Sequence, residues 1–159
     1  MAETPLERAK ARALRLLERR DYSKAELAAK LAEKGEEPEA AEQAAERMAE
    51  LGFVNDENYA GMVVRHYAAK GCGRQRIREE LRRRRVPREL WDAALEELPD
   101  QTETLYRLLE TRLRGKAPEG EELRRACAYL VRRGFAWDEV REAAARLSEG
   151  WELYELRSG

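Results

Sequence analysis

Basic side chains are concentrated in the middle of the chain, between Arg65 and Arg88. This segment carries ten lysines and arginines against two carboxylates, Glu79 and Glu80, although the net charge of the whole chain is only −1. Guanidinium and ammonium groups bind phosphates and acidic side chains, and arginine does so with two parallel hydrogen bonds. The chemistry that the sequence offers is therefore recognition of an anionic partner.

Four of these arginines fall on one side of a predicted helix. With about 100° between successive residues, they project between roughly 60° and 140° from Ile77, beside an apolar stripe of Ile77 and Leu81. They are Arg74, Arg78, Arg82 and Arg85. A solvated charged face is the alternative interpretation, but like charges side by side repel one another unless an anion is nearby. We therefore expect these four, with Arg65 and Lys70, to bind a partner protein or phosphate.

The surroundings of the four arginines are also predictable. The Gly71-Cys72-Gly73 turn precedes the helix, so its N-terminal backbone donors should point to the same region and favour an anion. Arg84 should lay its aliphatic stem across the core and keep its charge in water. Arg76 and Arg83 project from the opposite flank beside the glutamates Glu79 and Glu80, where we expect ion pairs at the helix surface.

Residues for catalysis or metal binding are scarce. His66, the only histidine, lies on the polar side of a predicted helix without a paired nucleophile, and the carboxylates form helix-surface runs. Cys127 fits a helix core and Cys72 a turn, so neither belongs to a zinc ligand set. We therefore expect no enzyme activity, metal or cofactor. The sequence has no apolar run long enough to span a bilayer and no signal peptide, which favours a cytoplasmic protein.

An internal repeat organises the chain. Leu31, Leu81 and Leu130 lie 50 and 49 residues apart, each followed by charged residues, a break and a new amphipathic segment. Such a unit must stack on its neighbours to bury its apolar face. We predict an all-α array of three three-helix repeats over residues 6–54, 55–99 and 100–148, followed by a C-terminal tail over residues 149–159.

The helix boundaries carry recognisable signals. Ser23 with Glu26 predicts a capping box, and Asp100 with Glu103 marks another candidate helix start. Asn55 or Asp56 is expected to cap the helix that opens the second repeat. The apolar tail residues, from Trp151 to Leu156, are expected to cover the exposed end of the last repeat.

Several segments together resemble the RecX family of bacterial recombination regulators. The stretch Leu51–Ala60, then Arg65, then Gly71–Leu81 resembles the signature region of that family. Ser23–Leu31 and Leu130–Phe135 are similar to its first and third repeats, and the likeness covers roughly residues 9 to 147. One departure is Glu36, where the other two repeats have an apolar residue.

The resemblance implies an elongated, curved array without catalytic activity or cofactor. Proteins of this family bind the RecA recombinase, mainly as its filament on single-stranded DNA, and lower its ATPase, coprotease and strand-exchange activities. We expect this chain to act in the same way, as a monomer in DNA repair and recombination. Two alternatives remain open: a DNA-binding helical module that acts without the recombinase, and a structural adaptor that uses the tail.

Overall fold

Helices make up the structure. The computed structural model describes residues 2–158, with side chains up to Glu152, and this part contains nine α-helices, one 3₁₀ turn and no strand. In chain order the helices are α1 Pro5–Arg19, α2 Lys24–Glu33, α3 Pro38–Glu50, α4 Asp56–Ala69, α5 Arg74–Arg83, α6 Trp91–Glu96, α7 Thr102–Leu113, α8 Gly120–Arg132 and α9 Trp137–Ser158. The predicted all-α fold is confirmed.

Two compact units divide the chain. The first unit contains the residues up to Val63 together with Glu80–Leu95, and the second contains Val64–Glu79 together with the residues from Glu96 onward. All three boundaries fall inside the second predicted repeat, within α4, within α5 and at the end of α6. The residues of that repeat are therefore shared between the two units.

The first unit has a core of mostly small side chains. Leu27 and Leu31 on α2 are fully buried, and alanines of α1 and α3 pack around them. Small residues let helices approach closely, so a chain with few large aromatics can still bury a continuous core. The apolar sequence pattern Ala41, Ala44, Ala45, Met48, Leu51 predicts that Leu51 belongs to the buried stripe of α3, and this is wrong. Leu51 is 49 % exposed, because α3 ends at Glu50 and Leu51 is its C-cap.

Leucines dominate the core of the second unit. Leu105, Leu109 and Leu113 form the buried side of α7, and Leu130 of α8 and Val140 of α9 pack in the same cluster. Their spacing of three or four residues is the helical periodicity that the sequence shows. The third repeat therefore buries one apolar side of each of its helices in a common cluster.

The repeat is visible in the backbone of three equivalent turns. Gly35, Arg85 and Gly134 all have positive φ, with values of 104°, 57° and 104°. In each turn the next residue donates its N–H to the carbonyl of the repeat leucine: Glu36 to Leu31, Val86 to Leu81 and Phe135 to Leu130, at 3.0, 3.1 and 3.2 Å. This is the hydrogen bond that closes a helix C-terminus in a Schellman motif. The same local structure thus recurs at the predicted period.

Of the three turn residues with positive φ, only Arg85 is not a glycine, so replacing it with glycine should stabilise the fold. We expect Arg85→Gly to raise the free energy of unfolding by about 0.5–1 kcal/mol, because glycine adopts the left-handed conformation without a Cβ clash. Arg85→Ala is the control and should change it by less than about 0.5 kcal/mol, because alanine keeps that clash. Urea denaturation measures both variants, and an equal gain in the two would contradict the explanation.

Capping interactions define the helix starts. The Ser23–Glu26 box is present: Glu26 N–H donates to Ser23 Oγ at 3.0 Å and Ser23 N–H donates to Glu26 Oε1 at 3.2 Å. Asn55 caps α4 through a 3.0 Å bond from Asn58 N–H, as one of the two predicted alternatives. The box predicted at Asp100 is wrong, because α7 begins only at Thr102 and Asp100 accepts hydrogen bonds from that residue.

Asp100 nevertheless has a local role. Its Oδ1 accepts hydrogen bonds from the hydroxyl and the backbone N–H of Thr102, and these lower the pKa of the exposed Asp100 carboxyl. The carboxylate therefore stays ionised just ahead of the α7 N-terminus, where a negative charge is favourable.

The turn that ends the second helix of a repeat packs against the start of the second helix of the preceding repeat. In the first unit Ser23 Oγ, at the start of α2, donates to the carbonyl of Arg84 at 2.5 Å. In the second unit Gly73 N–H, at the start of α5, donates to the carbonyl of Arg133 at 2.9 Å. Position 23 corresponds to 73, and 84 to 133, in the 50- and 49-residue spacings of the repeat. Equivalent residues therefore make the stacking contact twice.

Glu36, the departure from the apolar pattern, is compensated locally. Its side chain is only 8 % exposed, and its Oε1 lies 2.9 Å from Nε of Arg12 on α1. The ion pair replaces the apolar contact that Val86 and Phe135, both buried, make at the equivalent positions. A carboxylate this enclosed requires its cation.

Removing that cation should therefore be costly. We expect Arg12→Ala to destabilise the protein by about 2 kcal/mol, because it leaves the enclosed Glu36 carboxylate unpaired. In a Glu36→Val background the same Arg12→Ala change should cost less than about 1 kcal/mol. Chemical denaturation of the four proteins gives the coupling directly, and equal costs in both backgrounds would show that the pair contributes nothing.

The C-terminal segment continues the last helix. The backbone of α9 runs to Ser158, so the predicted tail is helical up to that residue. The side chains of residues 153 to 158 lie outside the described part of the structure, and the covering role of the Trp151–Leu156 segment stays a prediction. Among the described helices, none combines the length and the apolar character that crossing a bilayer requires.

Candidate anion-binding site

Helix α5 carries most of the predicted basic site. Ile77 and Leu81 are fully buried and fix the orientation of the helix. Arg74 and Arg82 are exposed, and Arg78 is half-buried between them. Because these three arginines are four residues apart, they lie along one side of α5 beside the buried stripe. The predicted arrangement of Arg74, Arg78 and Arg82 relative to the stripe is therefore confirmed.

Arg85 does not belong to the helical surface. The prediction extended α5 as far as this residue, but the helix ends at Arg83 and Arg85 has a φ of 57°. Its backbone N–H donates to the carbonyl of Arg82 at 3.0 Å, as a turn residue. The exposed side chain borders a cleft of about 470 Å³ between α2 and α3, together with Lys24 and Glu46.

The cleft next to Arg85 has a balanced charge. Lys24 Nζ donates to Glu46 Oε2 at 2.8 Å, and this hydrogen bond raises the pKa of Lys24. Glu42 also lines the cleft, whose other walls are mainly alanines of α2. Arg85 is thus the lining cation whose charge is least neutralised by its neighbours.

Arg65 and Lys70 lie on α4 and at its end, in the second unit. Arg65 is exposed, and its Nη1 donates to Oε2 of Glu97 at 2.9 Å. Lys70 follows the last residue of α4, and its Nζ lies 5.6 Å from the centroid of the Tyr67 ring. An exposed ion pair such as that of Arg65 is worth at most about 1 kcal/mol, so a stronger anion can replace Glu97.

The predicted anion cradle at the start of α5 is wrong. Gly73 N–H donates to the carbonyl of Arg133 at 2.9 Å, and Gln75 N–H donates to the carbonyl of Gly134 at 3.0 Å. The α8–α9 turn thus occupies donors that an anion would need. Binding by α5 must rely on side chains.

Glu80 differs from its predicted position at the helix surface. The residue is buried, and its carboxylate lies 3.6 Å from Arg83 Nη1 and 3.7 Å from Arg84 Nη2. A buried carboxylate next to two guanidinium groups neutralises part of the basic charge from within. The Glu80–Arg84 pair could have been predicted from the sequence, because the two residues are one helical turn apart on the same side as the apolar stripe.

Arg84 is held inward by the same network. As predicted it is half-buried, and its Nη1 lies 3.5 Å from the Tyr59 hydroxyl, which donates to Glu26 Oε1 at 3.1 Å. Burial, and then the Glu26 carboxylate, raise the pKa of the Tyr59 hydroxyl, so it keeps the proton that it donates. Arg84 therefore serves the first unit, whereas Arg82 and Arg85 project outward.

Among the residues whose side chains the structure describes, groups capable of catalysis do not converge. His66 is exposed and its ring makes an edge contact with Tyr67, with 5.0 Å between centroids. Cys72 and Cys127 are buried free thiols, and burial raises the pKa of Cys127, which disfavours the nucleophilic thiolate. Within the described residues no three His, Cys, Asp or Glu side chains are grouped so that they could hold a metal ion.

Comparison with protein-family models gives three matches in chain order. The RecX first three-helix domain matches residues 9–48, the RecX second three-helix domain residues 55–95, and the RecX third three-helix domain residues 99–144. Each match coincides with one copy of the 50- and 49-residue repeat.

Relatives and solved structures agree with this assignment. The chain is 40 % identical to the regulatory protein RecX of Trichlorobacter lovleyi over 137 residues, which is 82 % of this chain and 89 % of that protein. It is 39 % identical to the regulatory protein RecX of Halorhodospira halophila over 140 residues, covering 86 % of each chain. The fold is similar to the crystal structure of RecX from Lactobacillus salivarius, with a TM-score of 0.78, 20 % identity, and coverage of 90 % of this chain and 96 % of that one. With all three domains matched, this chain belongs to the RecX family of regulatory proteins.

Proposed function

We propose that this protein binds the RecA recombinase, as its filament on single-stranded DNA, and inhibits its ATPase, strand-exchange and coprotease activities. The observation that carries the proposal is the match of all three RecX domains, in order, from residue 9 to residue 144. In this role the protein is a cytoplasmic monomer of DNA repair and recombination that requires no cofactor and performs no chemistry of its own.

The distribution of charge supports a contact with several anionic and cationic surfaces. The exposed arginines of α5, with Arg85, offer a basic surface to acidic recombinase side chains or to filament phosphates. Residues 21 to 64 carry eleven carboxylates against four basic groups and suit basic parts of neighbouring subunits. Because a filament presents the same surfaces repeatedly, contacts that are weak one by one add up to tight binding.

The ATPase of the recombinase on single-stranded DNA tests this function. Full-length protein is added at ratios from one per hundred to one per recombinase subunit, and ATP hydrolysis is followed until it is steady. We expect inhibition to be substantial well below one protein per subunit, because one bound molecule affects the filament beyond its own contact. An ATPase that is unchanged at a ratio of one would refute the proposal.

The second candidate is a DNA-binding module that acts without the recombinase. A basic second helix after a tight turn favours it, because helix-turn-helix proteins place such a helix against DNA. A single-strand stacking platform would need exposed aromatic rings. The Trp91 ring is instead buried. Its centroid lies 5.8 Å from the guanidinium carbon of Arg82 and 5.3 Å from that of Arg88.

Salt separates the two candidates. Binding to phosphates alone should weaken steeply with ionic strength and be measurable in the absence of recombinase. Inhibition of the recombinase by a protein that has no measurable affinity for free single strands would favour the filament contact.

Deletion of residues 149–159 tests the alternative that the protein is a structural adaptor that binds its partner through the C-terminal tail. That role requires that partner binding be lost while the helical content of the remaining chain is kept.

A further inference from the structure

The turn after the second helix is uncovered in the first repeat, although its counterparts in the other two repeats pack on a preceding repeat. We call residues 33–39 the first-repeat turn. The carbonyl of Lys34, the counterpart of Arg84 and Arg133, accepts no hydrogen bond from a described residue. Lys34 and Gly35 are exposed, and a Cβ added at Gly35 would have no neighbouring atom within 4 Å. One copy of the internal packing surface is therefore free to meet a partner.

The third repeat has an open cleft where the second repeat receives a turn. In the second repeat the turn lies at the junction of α4 and α5. Arg133 Nη2 donates to the carbonyl of Lys70, just after α4, and Gly73 N–H, just before α5, donates to the carbonyl of Arg133. The corresponding junction in the third repeat is a cleft of about 280 Å³ between the end of α7 and the start of α8, the α7–α8 cleft.

The two uncovered surfaces carry opposite charges. Four exposed cations line the α7–α8 cleft together with the carboxylate of Glu122: Arg112, Arg114, Lys116 and Arg125. Three exposed carboxylates surround Lys34 in the first-repeat turn: Glu33, Glu37 and Glu39. Surfaces of opposite charge attract each other and set the orientation in which they meet. The cleft of one molecule is thus complementary to the first-repeat turn of another.

Several of these charges are not used within the chain. Arg114 and Arg125 have no ion-pair or side-chain hydrogen-bond partner among the described residues. The same holds for Glu37 and Glu39 on the opposite surface. Like charges that lie side by side repel one another, so each surface is stabilised when the other approaches it.

Helix ends explain only part of this charge. A cation is favourable at the C-terminus of α7, and a carboxylate is favourable at the N-terminus of α3. Glu33, however, is the last residue of α2, where a negative charge is unfavourable, and its ion pair with Lys30 at 3.6 Å is exposed and weak. Arg125 projects from the middle of α8. These two charges complement the opposite surface rather than their own helices.

The start of α8 indicates which groups would make the contact. This helix begins ten residues before Leu130, whereas α2 and α5 begin seven residues before Leu31 and Leu81. The additional helical turn moves the free N–H groups of α8 away from the position that the donors of α5 occupy. Charged side chains, rather than backbone donors, are therefore available to a turn that enters the cleft.

We propose that the α7–α8 cleft binds the first-repeat turn of a second copy of this chain. The contact repeats, between two molecules, the packing that turns make within one molecule, with ion pairs in place of backbone hydrogen bonds. Exposed ion pairs contribute little each, so dilute protein stays monomeric, and copies associate where they are concentrated, as on one filament. The inference goes beyond the proposed function, because the contact requires neither recombinase nor nucleic acid.

Sedimentation equilibrium of the full-length protein, at low salt and without nucleic acid, tests the inference. We expect the weight-average mass to rise above that of the monomer as the protein concentration approaches about 1 mM. The rise should disappear at high salt, because mobile ions screen charges that are exposed to solvent.

Two charge-reversed variants identify the surfaces. The turn variant is Glu33→Lys with Glu37→Lys, and the cleft variant is Arg114→Glu with Arg125→Glu. Each variant alone opposes like charges, so its dissociation constant for self-association should rise at least roughly tenfold. In an equimolar mixture the new lysines meet the new glutamates, and association should return to within roughly threefold of the wild type. Such a recovery also shows that both variants are folded.

Glu57→Lys with Glu89→Lys is the matched control, because both glutamates are exposed and belong to neither surface. It changes the net charge as the turn variant does and should associate like the wild-type protein. A wild-type protein that stays monomeric at every concentration would overturn the inference. So would a turn or cleft variant that associates like the wild type, a mixture that stays monomeric, or an equal loss in the control.

The test is independent of the proposed function, because no recombinase is present. A protein that inhibits the recombinase ATPase but never associates with itself would contradict only the contact between copies. Conversely, a protein that associates through these two surfaces but leaves the ATPase unchanged would contradict only the proposed function.

Discussion

Gly134→Ala is expected to lower the free energy of unfolding by roughly 3–4 kcal/mol. The φ of Gly134 is 104°, a conformation that side chains rarely adopt. A Cβ at this position would also lie 2.4 Å from Cβ and 2.5 Å from the backbone nitrogen of Arg76. Neither atom can move without shifting α5 or the α8–α9 turn. In thermal denaturation the melting temperature should fall by about 10 °C.

Two other glycines separate the causes of this loss. Gly35 has the same φ of 104°, but a Cβ there would have no neighbouring atom within 4 Å, so Gly35→Ala measures the backbone strain alone at about 1 kcal/mol. Gly73 lacks the positive φ, yet a Cβ there would lie 2.5 Å from the carbonyl of Gly134. Gly73→Ala therefore measures the close contact alone, at roughly 2 kcal/mol or more.

The double variant Gly73→Ala, Gly134→Ala completes the test. Both substitutions disrupt one contact, so their combined cost should be smaller than the sum of the single costs. Strictly additive effects, or a Gly134→Ala cost equal to that of Gly35→Ala, would contradict the packing of this turn against α5. The contact matters for function because it sets the position of Arg74 at the start of the helix.

The repeat spacing predicts a break after each repeat leucine, because the apolar pattern is local, but it places the helix end correctly only in the first and third repeats. Leu31, Leu81 and Leu130 anchor equivalent helices, and glycine at positions 35 and 134 marks where those helices end. At the middle turn the arginine run concealed the same signal. The prediction therefore extended α5 to Arg85, although the backbone there repeats the left-handed conformation of its two counterparts.

Contacts between distant residues could not be read from local patterns. The donors of Gly73 and Gln75 are satisfied by carbonyls about 60 residues later in the chain, at positions 133 and 134. A Gly-x-Gly turn before a helix is typical both of an anion site and of a close backbone approach. Only the tertiary structure distinguishes the two, and here the close approach occupies the donors.

Neutralising the outward arginines should have the largest effect on function. The triple variant Arg74→Gln, Arg82→Gln, Arg85→Gly removes three positive charges at exposed positions. We expect the protein concentration that half-inhibits the recombinase ATPase to rise at least roughly tenfold, because three charge-assisted contacts of about 0.5–1 kcal/mol each are lost. Arg78 is left in place because it is half-buried, so the fold should be retained.

The control for this experiment removes the same charge elsewhere. Arg47→Gln, Arg107→Gln and Arg141→Gln alter three exposed arginines on α3, α7 and α9, so the change in net charge is identical. If inhibition depends on the position of the α5 arginines, this control should inhibit like the wild-type protein at every salt concentration. If it depends on overall charge, both triple variants should lose inhibition equally, which would refute the assignment. Thermal denaturation of both variants verifies that any loss reflects binding, since exposed substitutions of this kind change stability by about 0.5 kcal/mol or less each.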